Sequence, residues 1–232
     1  GKCLLAVFLD FKRAFETINR DILIKKLKKI GIQGTVIKWF QSYLTNRRQC
    51  VKYDGVLSDS MFVNNGVPQG TVLGPLLFIL YINDVVTVLK YCSIKLFADD
   101  TMIFIKGNNI VEMAEKLNNH LALLNEWLFK NCLSLNLNKT KFIMFGRNHL
   151  NLDLNIHINN VRIEKVNKIK YLGVILDQEL KFHLHANYIM NKMSIKANFI
   201  SRIGKCLSTG TKLLLYKSCL LYTSPSPRDG LL

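Results

Sequence analysis

The chain has 232 residues, 49% of them hydrophobic and 21% charged, which suits one large domain or a domain and a half and excludes a chain disordered by composition. Lys plus Arg number 32 against 16 Asp plus Glu, a formal +16 scattered along the length, and a field of that sign selects polyanions: nucleic acid first, a membrane surface second. The longest apolar run, Val72 to Ile82, is broken by Gly74 and Pro75 and too short to span a bilayer, and six cysteines without C-x-x-C spacing exclude a zinc site or dense disulfide framework and fit a reducing compartment.

Residue 1 is Gly and no charged-then-apolar leader opens the chain, so the start reads as cut and targeting is not legible. "KCLLAVFLDF", residues 2 to 11, is an almost continuous apolar run, as expected of a strand buried on both faces, with Asp10 at its C-terminal end. "DILIKKLKKIGI" predicts a helix with Ile22, Leu23, Leu27 and Ile30 on its apolar stripe, Gly31 as the stop and the lysines at 25, 26, 28 and 29 mainly outside. "GTVIKWFQSYLTNR" predicts a second helix, and "RQCVKYDGVLSDSMFV" a hairpin turning at Asp54-Gly55.

"GTVLGPLLFILYINDVVTVL" predicts a buried helix with Pro75 confined to its first turn. The hairpin "IKLFADDTMIFI" follows. A sheet-packing helix comes next, with Ile110, Met113, Leu117, Leu121, Leu124 and Leu128 at helical spacing. "LSLNLNKTKFIMFG" supplies another strand, "LNIHINNVRIEKVNKIKYLGVIL" a run of short strands, and residues 182 to 218 two further helices. The expected class is α+β, an antiparallel sheet layered with helices, without internal repeats. Residues 219 to 229, "CLLYTSPSPRD", resemble a translated sequencing adapter and are set outside the fold as far as residue 232.

The adjacent carboxylates Asp99 and Asp100 admit two readings. Asp pairs are ordinary turn residues. They also hold hard divalent cations through oxygen, which calls for a further carboxylate. Asp10 is the candidate, roughly ninety residues upstream. A pairing of "LLAVFLD" beside "IKLFADD" would bring all three to one edge of the sheet, where they repel unless cations sit among them. Two metals bridged by such carboxylates suit phosphoryl or nucleotidyl transfer.

"FLDFKRAFETI", "NNGVPQGTVLGPLLFILYINDV", "KLFADDT", "LSLNLNKTKFIMF" and "IKYLGVILD" resemble, in order and approximate spacing, the palm of reverse transcriptases, most closely those of non-LTR (LINE-type) retrotransposons. The resemblance covers about residues 2 to 205 and implies a right-hand polymerase fold. It places the palm at residues 1–175 with partial fingers at about 21–64, the start of the thumb at 176–218 and the adapter-like tail at 219–232. By matching position it implies that Asp10, Asp99 and Asp100 bind two Mg²⁺ ions, with Mn²⁺ as a substitute, and that the Phe11 carbonyl joins them. It further implies Phe15 under the nucleotide sugar, Gln69 and Gly70 against incoming nucleotide and template, Lys139 aiding pyrophosphate release, and Leu172 and Gly173 in the primer grip.

Each assignment has a plainer rival. Phe15 reads equally as a core aromatic of the first helix, "GVPQG" as a loop before a helix N-terminus, and Lys139 as a solvated lysine. Arg13-Ala14-Phe15-Glu16 replaces the usual Lys-Ala-Phe-Asp, and Thr71 the usual Ser, both with chemical type preserved. The implied activity is extension of a DNA primer on an RNA template with dNTPs, inside the nucleus or cytoplasm and without a membrane. The fingers strands are expected upstream of residue 1 and the thumb to continue downstream, so residues 1 to 232 alone are expected to be inactive. A group II intron or maturase-type enzyme, and a non-catalytic RNA-binding relative, remain the alternatives.

Overall fold

A computed structural model describes residues 3–146 and 152–219. The chain divides into two compact units, Gly1–Asn167 and Lys168–Leu232. Most of the adapter-like tail, residues 220–232, lies outside the described residues.

In the first unit the opening apolar run forms strand β1 (Cys3–Leu9), buried at every position except the half-buried Leu4. An apolar strand of this kind needs both faces and both edges covered, and β1 has them: it is the centre of a five-stranded sheet. Along the chain follow α1 (Arg20–Lys29), α2 (Gly34–Leu44) and a ribbon of four short strands, β2 (Arg48–Gln49), β3 (Lys52–Tyr53), β4 (Val56–Leu57) and β5 (Met61–Phe62). Helix α3 (Leu73–Ile82) runs into a 3₁₀ turn, Asn83–Val88. Strands β6 (Ser93–Phe97) and β7 (Asp100–Gly107), helix α4 (Ile110–Lys130) and strand β8 (Lys141–Phe145) come next, then β9 (His157–Ile158), β10 (Val161–Arg162) and β11 (Glu164–Lys165). The sheet order is β11-β8-β1-β7-β6, antiparallel except for β11 beside β8.

This order corrects one expectation. The neighbour of β1 is β7, the strand after the Asp99-Asp100 turn, and "IKLF" is the edge strand β6. Thr101, Ile103 and Ile105 of β7 are buried, whereas Ser93, Lys95 and Phe97 of β6 are exposed, the usual character of a sheet edge.

Helix α4 presents Ile110, Met113, Leu117, Leu121, Leu124 and Leu128 to the core, the stripe expected from its spacing, and packs against β7. Asn109 caps its first turn, its side chain accepting from the N–H groups of Val111 and Glu112. In α3 Leu77, Phe78 and Tyr81 are fully buried, each worth about 1.5–3 kcal/mol relative to exposure. Pro75 is the third residue of α3, where its missing N–H has no intrahelical partner to lose.

Helix α1 departs from expectation at two positions. Ile30 caps the helix and is exposed, so the buried stripe is carried by Leu23 and Leu27. Lys26 turns inward, its side chain 14% exposed. Its ammonium donates to Asp84 Oδ1 (2.7 Å) and the Tyr81 carbonyl (2.6 Å) and lies 4.7 and 4.8 Å from the ring centroids of Tyr81 and Trp127. Burial lowers its pKa, an effect that Asp84 opposes. A lysine stem long enough to reach the far side of a helix defeats a face assignment made from spacing alone.

The second unit contains the hairpin β12 (Lys168–Tyr171) and β13 (Val174–Asp177) and helices α5 (His183–Ile203) and α6 (Thr209–Cys219). No helix among the described residues is long and apolar enough to cross a membrane.

Candidate active site

The acidic end of the sheet is built by register. Strands β6 and β7 join through Ala98 and Asp99, a two-residue turn with Ala98 at φ +51° and Phe97 paired to Asp100. On the other side of β7 the β1 ladder ends at Leu9 opposite Thr101, so Asp10 comes abreast of Asp100 one step further on. Asp10 is half-buried, and Asp99 and Asp100 are exposed. Partial desolvation, then repulsion from Asp99 and Asp10, holds the Asp100 carboxyl above the ordinary carboxylate range.

Three hard oxygen donors that repel one another are a donor set suited to divalent cations such as Mg²⁺. Among the described residues no three His, Cys, Asp or Glu side chains are already gathered into a metal-holding group. The carboxylates are electrostatic neighbours in the free chain.

Asp10 is fixed through its backbone. Its N–H donates to the hydroxyl of Thr140 (3.3 Å), and its carbonyl accepts from the N–H of Asn136 (2.7 Å). Pairing of β1 with β8 ends at Phe8–Lys141, and a separate bridge joins Phe11 to Leu135, so residues 136–140 loop out opposite residues 9 and 10. Lys139 lies in the turn of this loop, its N–H bonded to the Asn136 carbonyl (3.1 Å) and its side chain exposed. Thr140 is fully buried and also donates to the Asn136 carbonyl at 3.0 Å.

A second wall follows Asp10 in sequence. Phe15 is half-buried with its ring 4.9 Å from that of Phe78, and Phe11 meets Phe78 edge-on at 6.2 Å. Along Phe15–Arg20 runs the loop that leads to Gln69: Val67 N–H donates to the Phe15 carbonyl (2.9 Å) and Gly66 N–H to the Ile18 carbonyl (2.7 Å). The Arg20 guanidinium donates to three carbonyls of that loop, Val63 at 2.5 Å, Gly66 at 2.8 Å and Asn65 at 3.0 Å. Gly66 sits at φ +78°, and a Cβ there would lie 2.8 Å from the Glu16 backbone, so only glycine allows the approach. Gln69 is exposed and donates from Nε2 to Glu16 Oε1 at 3.4 Å. Gly70, also exposed, has φ +73°. The Thr71 hydroxyl then donates to the Pro68 carbonyl (2.8 Å) and accepts from Gly74 N–H (3.2 Å), fixing the entry to α3.

Thus Asp10, Asp99 and Asp100 lie at one end of the sheet as electrostatic neighbours, the Lys139 turn is bonded to Asp10, and Gln69 is bonded to Glu16 in the turn that holds Phe15. Leu172 and Gly173 belong to the second unit. They form the exposed two-residue tip of its hairpin, at φ +47° and +83°. Arg20, Asn136 and Thr140 escaped the sequence reading. Arg20 alone left a signal: it is the first residue of α1, where the helix dipole disfavours a cation.

Residues 1–176 match the reverse transcriptase (RNA-dependent DNA polymerase) family. The chain belongs to the reverse transcriptase family. Among curated relatives, the RNA-directed DNA polymerase from mobile element jockey of Drosophila funebris is 30% identical over 94% of this chain and 24% of its own length. A probable RNA-directed DNA polymerase from transposon X-element of Drosophila melanogaster is 29% identical over 93% and 24%. These relatives place this reverse transcriptase domain with the non-LTR retrotransposon type. The chain spans about a quarter of the length of the curated relatives it matches.

The fold is also similar to telomerase. An apo telomerase of Candida tropicalis, truncated from the C-terminal domain, superposes with a TM-score of 0.56 at 18% identity, over 78% of this chain and 35% of that one. A telomerase of the same organism with a fragment of telomeric RNA gives 0.56 at 15% identity, over 95% and 38%. These likenesses extend to the fold, an α+β arrangement of antiparallel-rich sheet and helices.

Proposed function

We propose that the chain is the catalytic part of an RNA-directed DNA polymerase that extends a DNA primer on an RNA template. The observation that carries this reading is the meeting of Asp10 and the Asp99-Asp100 turn at one end of the sheet, with repulsion that raises the Asp100 pKa. In it residues 1–175 are the palm, with residues 21–64 as part of the fingers, and residues 176–218 are the start of the thumb.

Asp10, Asp99 and Asp100, with the carbonyl of Phe11, would hold divalent ions, Mg²⁺ or Mn²⁺. Bound there, such ions supply Lewis-acid stabilisation of the attacking and leaving oxygens in nucleotidyl transfer. The chain's own residues do the positioning. Asp10 is held by two backbone hydrogen bonds to the 136–140 loop. Phe15, braced by Phe78, offers a rigid aromatic beneath a nucleotide sugar, and Gln69, beside Glu16, offers an amide to nucleotide and template. Lys139, exposed in the loop bonded to Asp10, supplies a cation for the departing pyrophosphate. Leu172 and Gly173 present a hairpin tip for the primer end, and the +16 charge retains the template–primer backbone.

The test is primer extension on an RNA template by the polypeptide that carries this chain, wild type against Asp99→Asn. Extension should be lost while template–primer binding persists, because affinity comes from distributed cations. Extension by the variant at the wild-type rate would overturn the reading.

A further inference from the structure

Tyr81 of α3 is fully buried, yet its polar atom is spent away from its own helix. The hydroxyl donates to the Asn131 carbonyl at 2.5 Å and accepts from the Asn19 N–H at 3.4 Å. A phenol carries one proton and free lone pairs on a single oxygen, so it joins a backbone acceptor to a backbone donor at one point. Burial pushes this phenol up to about 12, so the hydroxyl keeps its proton and remains a donor at neutral pH.

The two backbone groups begin the two walls of the site. Asn19 caps α1, its side chain accepting from Ile22 N–H at 3.0 Å, and the next residue is Arg20, whose guanidinium holds the loop leading to Gln69 at Val63, Asn65 and Gly66. Asn131 closes α4, its side chain donating to the Trp127 carbonyl at 2.8 Å. From Asn131 the chain runs to Ser134, whose carbonyl accepts from Lys12 N–H at 2.9 Å, and to Asn136, whose N–H donates to the Asp10 carbonyl at 2.7 Å. The segment that places Gln69 and the segment that places Asp10 therefore start from one shared hydroxyl.

The residue carrying that hydroxyl is itself held. The Lys26 ammonium donates to the Tyr81 carbonyl and lies 4.7 Å from its ring centroid, with Trp127 at 4.8 Å and Asp84 Oδ1 at 2.7 Å completing its surroundings. A cation bonded to the main chain of Tyr81 and drawn to its ring fixes both together.

We infer that Tyr81 is a positioning residue for nucleotidyl transfer, its hydroxyl setting the Gln69 loop and the Asp10 segment in one geometry, with Lys26 fixing its ring. The inference rests on the polymerase reading for what the two walls hold, metal ions on the Asp10 side and nucleotide on the Gln69 side. Transfer needs both held in a single arrangement, so loosening the tie acts on both at once.

The experiment compares amide hydrogen exchange and primer extension in the polypeptide that carries this chain. Tyr81→Phe removes the hydroxyl alone. Lys26→Met keeps the hydroxyl and removes the ammonium, leaving Asp84, 41% exposed, to water. Ile163→Val, a core change away from both walls, is the control for lost stability. In Tyr81→Phe the amides of Gly66 and Val67 and those of Lys12 and Asn136 should all exchange about tenfold faster, the scale of an unpaired buried group, with the β1–β7 ladder as in the wild type. Lys26→Met should quicken the same two sets by less, and it carries the comparison if Tyr81→Phe does not fold. In extension, KM for dNTP and the Mg²⁺ concentration for half-maximal rate should rise together in both variants and stay put in the control. Quickening of one set alone, or a spread over all amides as in the control, overturns the tie. Joint quickening with KM and the Mg²⁺ requirement unchanged overturns the positioning role. Exchange needs no catalysis: joint quickening in a protein without Asp99-dependent extension keeps the tie and removes the polymerase reading.

Discussion

The backbone N–H of Asp10 donates to the hydroxyl of Thr140, 3.3 Å away and 130 positions later in the chain. The Thr140 hydroxyl therefore fixes the backbone from which the Asp10 carboxylate projects. Thr140→Val keeps the shape and removes the acceptor, leaving a donor unpaired at a cost of about 1–3 kcal/mol. Urea denaturation should show that loss, and primer extension should fall with it. Thr140→Ser should recover most of both, since it retains the hydroxyl.

Arg20 makes three hydrogen bonds from one planar group, a geometry an ammonium cannot reproduce. Arg20→Lys should destabilise the chain by about 1.5–3 kcal/mol, the scale of a hydrogen bond to a charged group. The loss should concentrate in faster amide exchange at Gly66 and Val67. Gly66→Ala should also destabilise, because its Cβ would lie 2.8 Å from the Glu16 backbone at a φ of +78°.

For Asp100 the sign is opposite to that of an ion-paired carboxylate. A folded-state pKa above the unfolded value means that the native chain binds more protons. Stability contributed by this group is therefore present at low pH and lost as pH rises from the ordinary carboxyl range through the raised value. Asp100→Asn should raise the melting temperature of the metal-free chain at neutral pH, with the gain vanishing in acid. Added Mg²⁺ should stabilise the wild type more than the variant.

Phe15 is packed on Phe78 at 4.9 Å and is only half-buried, so truncation should cost about 3 kcal/mol, the low end for a phenylalanine-to-alanine change. Phe15→Ala should also raise ribonucleotide incorporation relative to deoxyribonucleotide, because space opens for a 2′-hydroxyl. An unchanged ratio with a lowered melting curve would leave Phe15 as a core residue alone.

Asp177 shows the conventional linkage. Desolvation opposes its charge, but N–H groups of Lys181, Phe182 and Glu179 outweigh that and lower its pKa. The stability it contributes is present above the ordinary carboxyl pKa and is lost as pH falls through the lowered one. An NMR titration should show the Glu179, Lys181 and Phe182 amides shifting together in that acid window, and Asp177→Asn should abolish the transition.

Much of this protein was legible from sequence because its signals are local. The run from Cys3 to Leu9 announces a strand buried on both faces, and the spacing from Ile110 to Leu128 announces the helix that covers the sheet. Asp54-Gly55 announces its turn, at φ +47° and +81°. The family motifs carried the candidate residues, since they are short stretches whose order survives without coordinates.

Tertiary structure alone decided the neighbours. Periodicity reports which face of a strand is buried and is silent about its edges, so it could not tell that β7 rather than β6 lies against β1. Arg20 reaches carbonyls 43 to 46 positions away, Lys26 meets Asp84 across 58, and Thr140 meets Asp10 across 130. Such hydrogen bonds join a polar side chain to distant backbone or to a distant charge. Backbone donors and acceptors are alike at every residue, so no residue type along the chain marks which of them will be met.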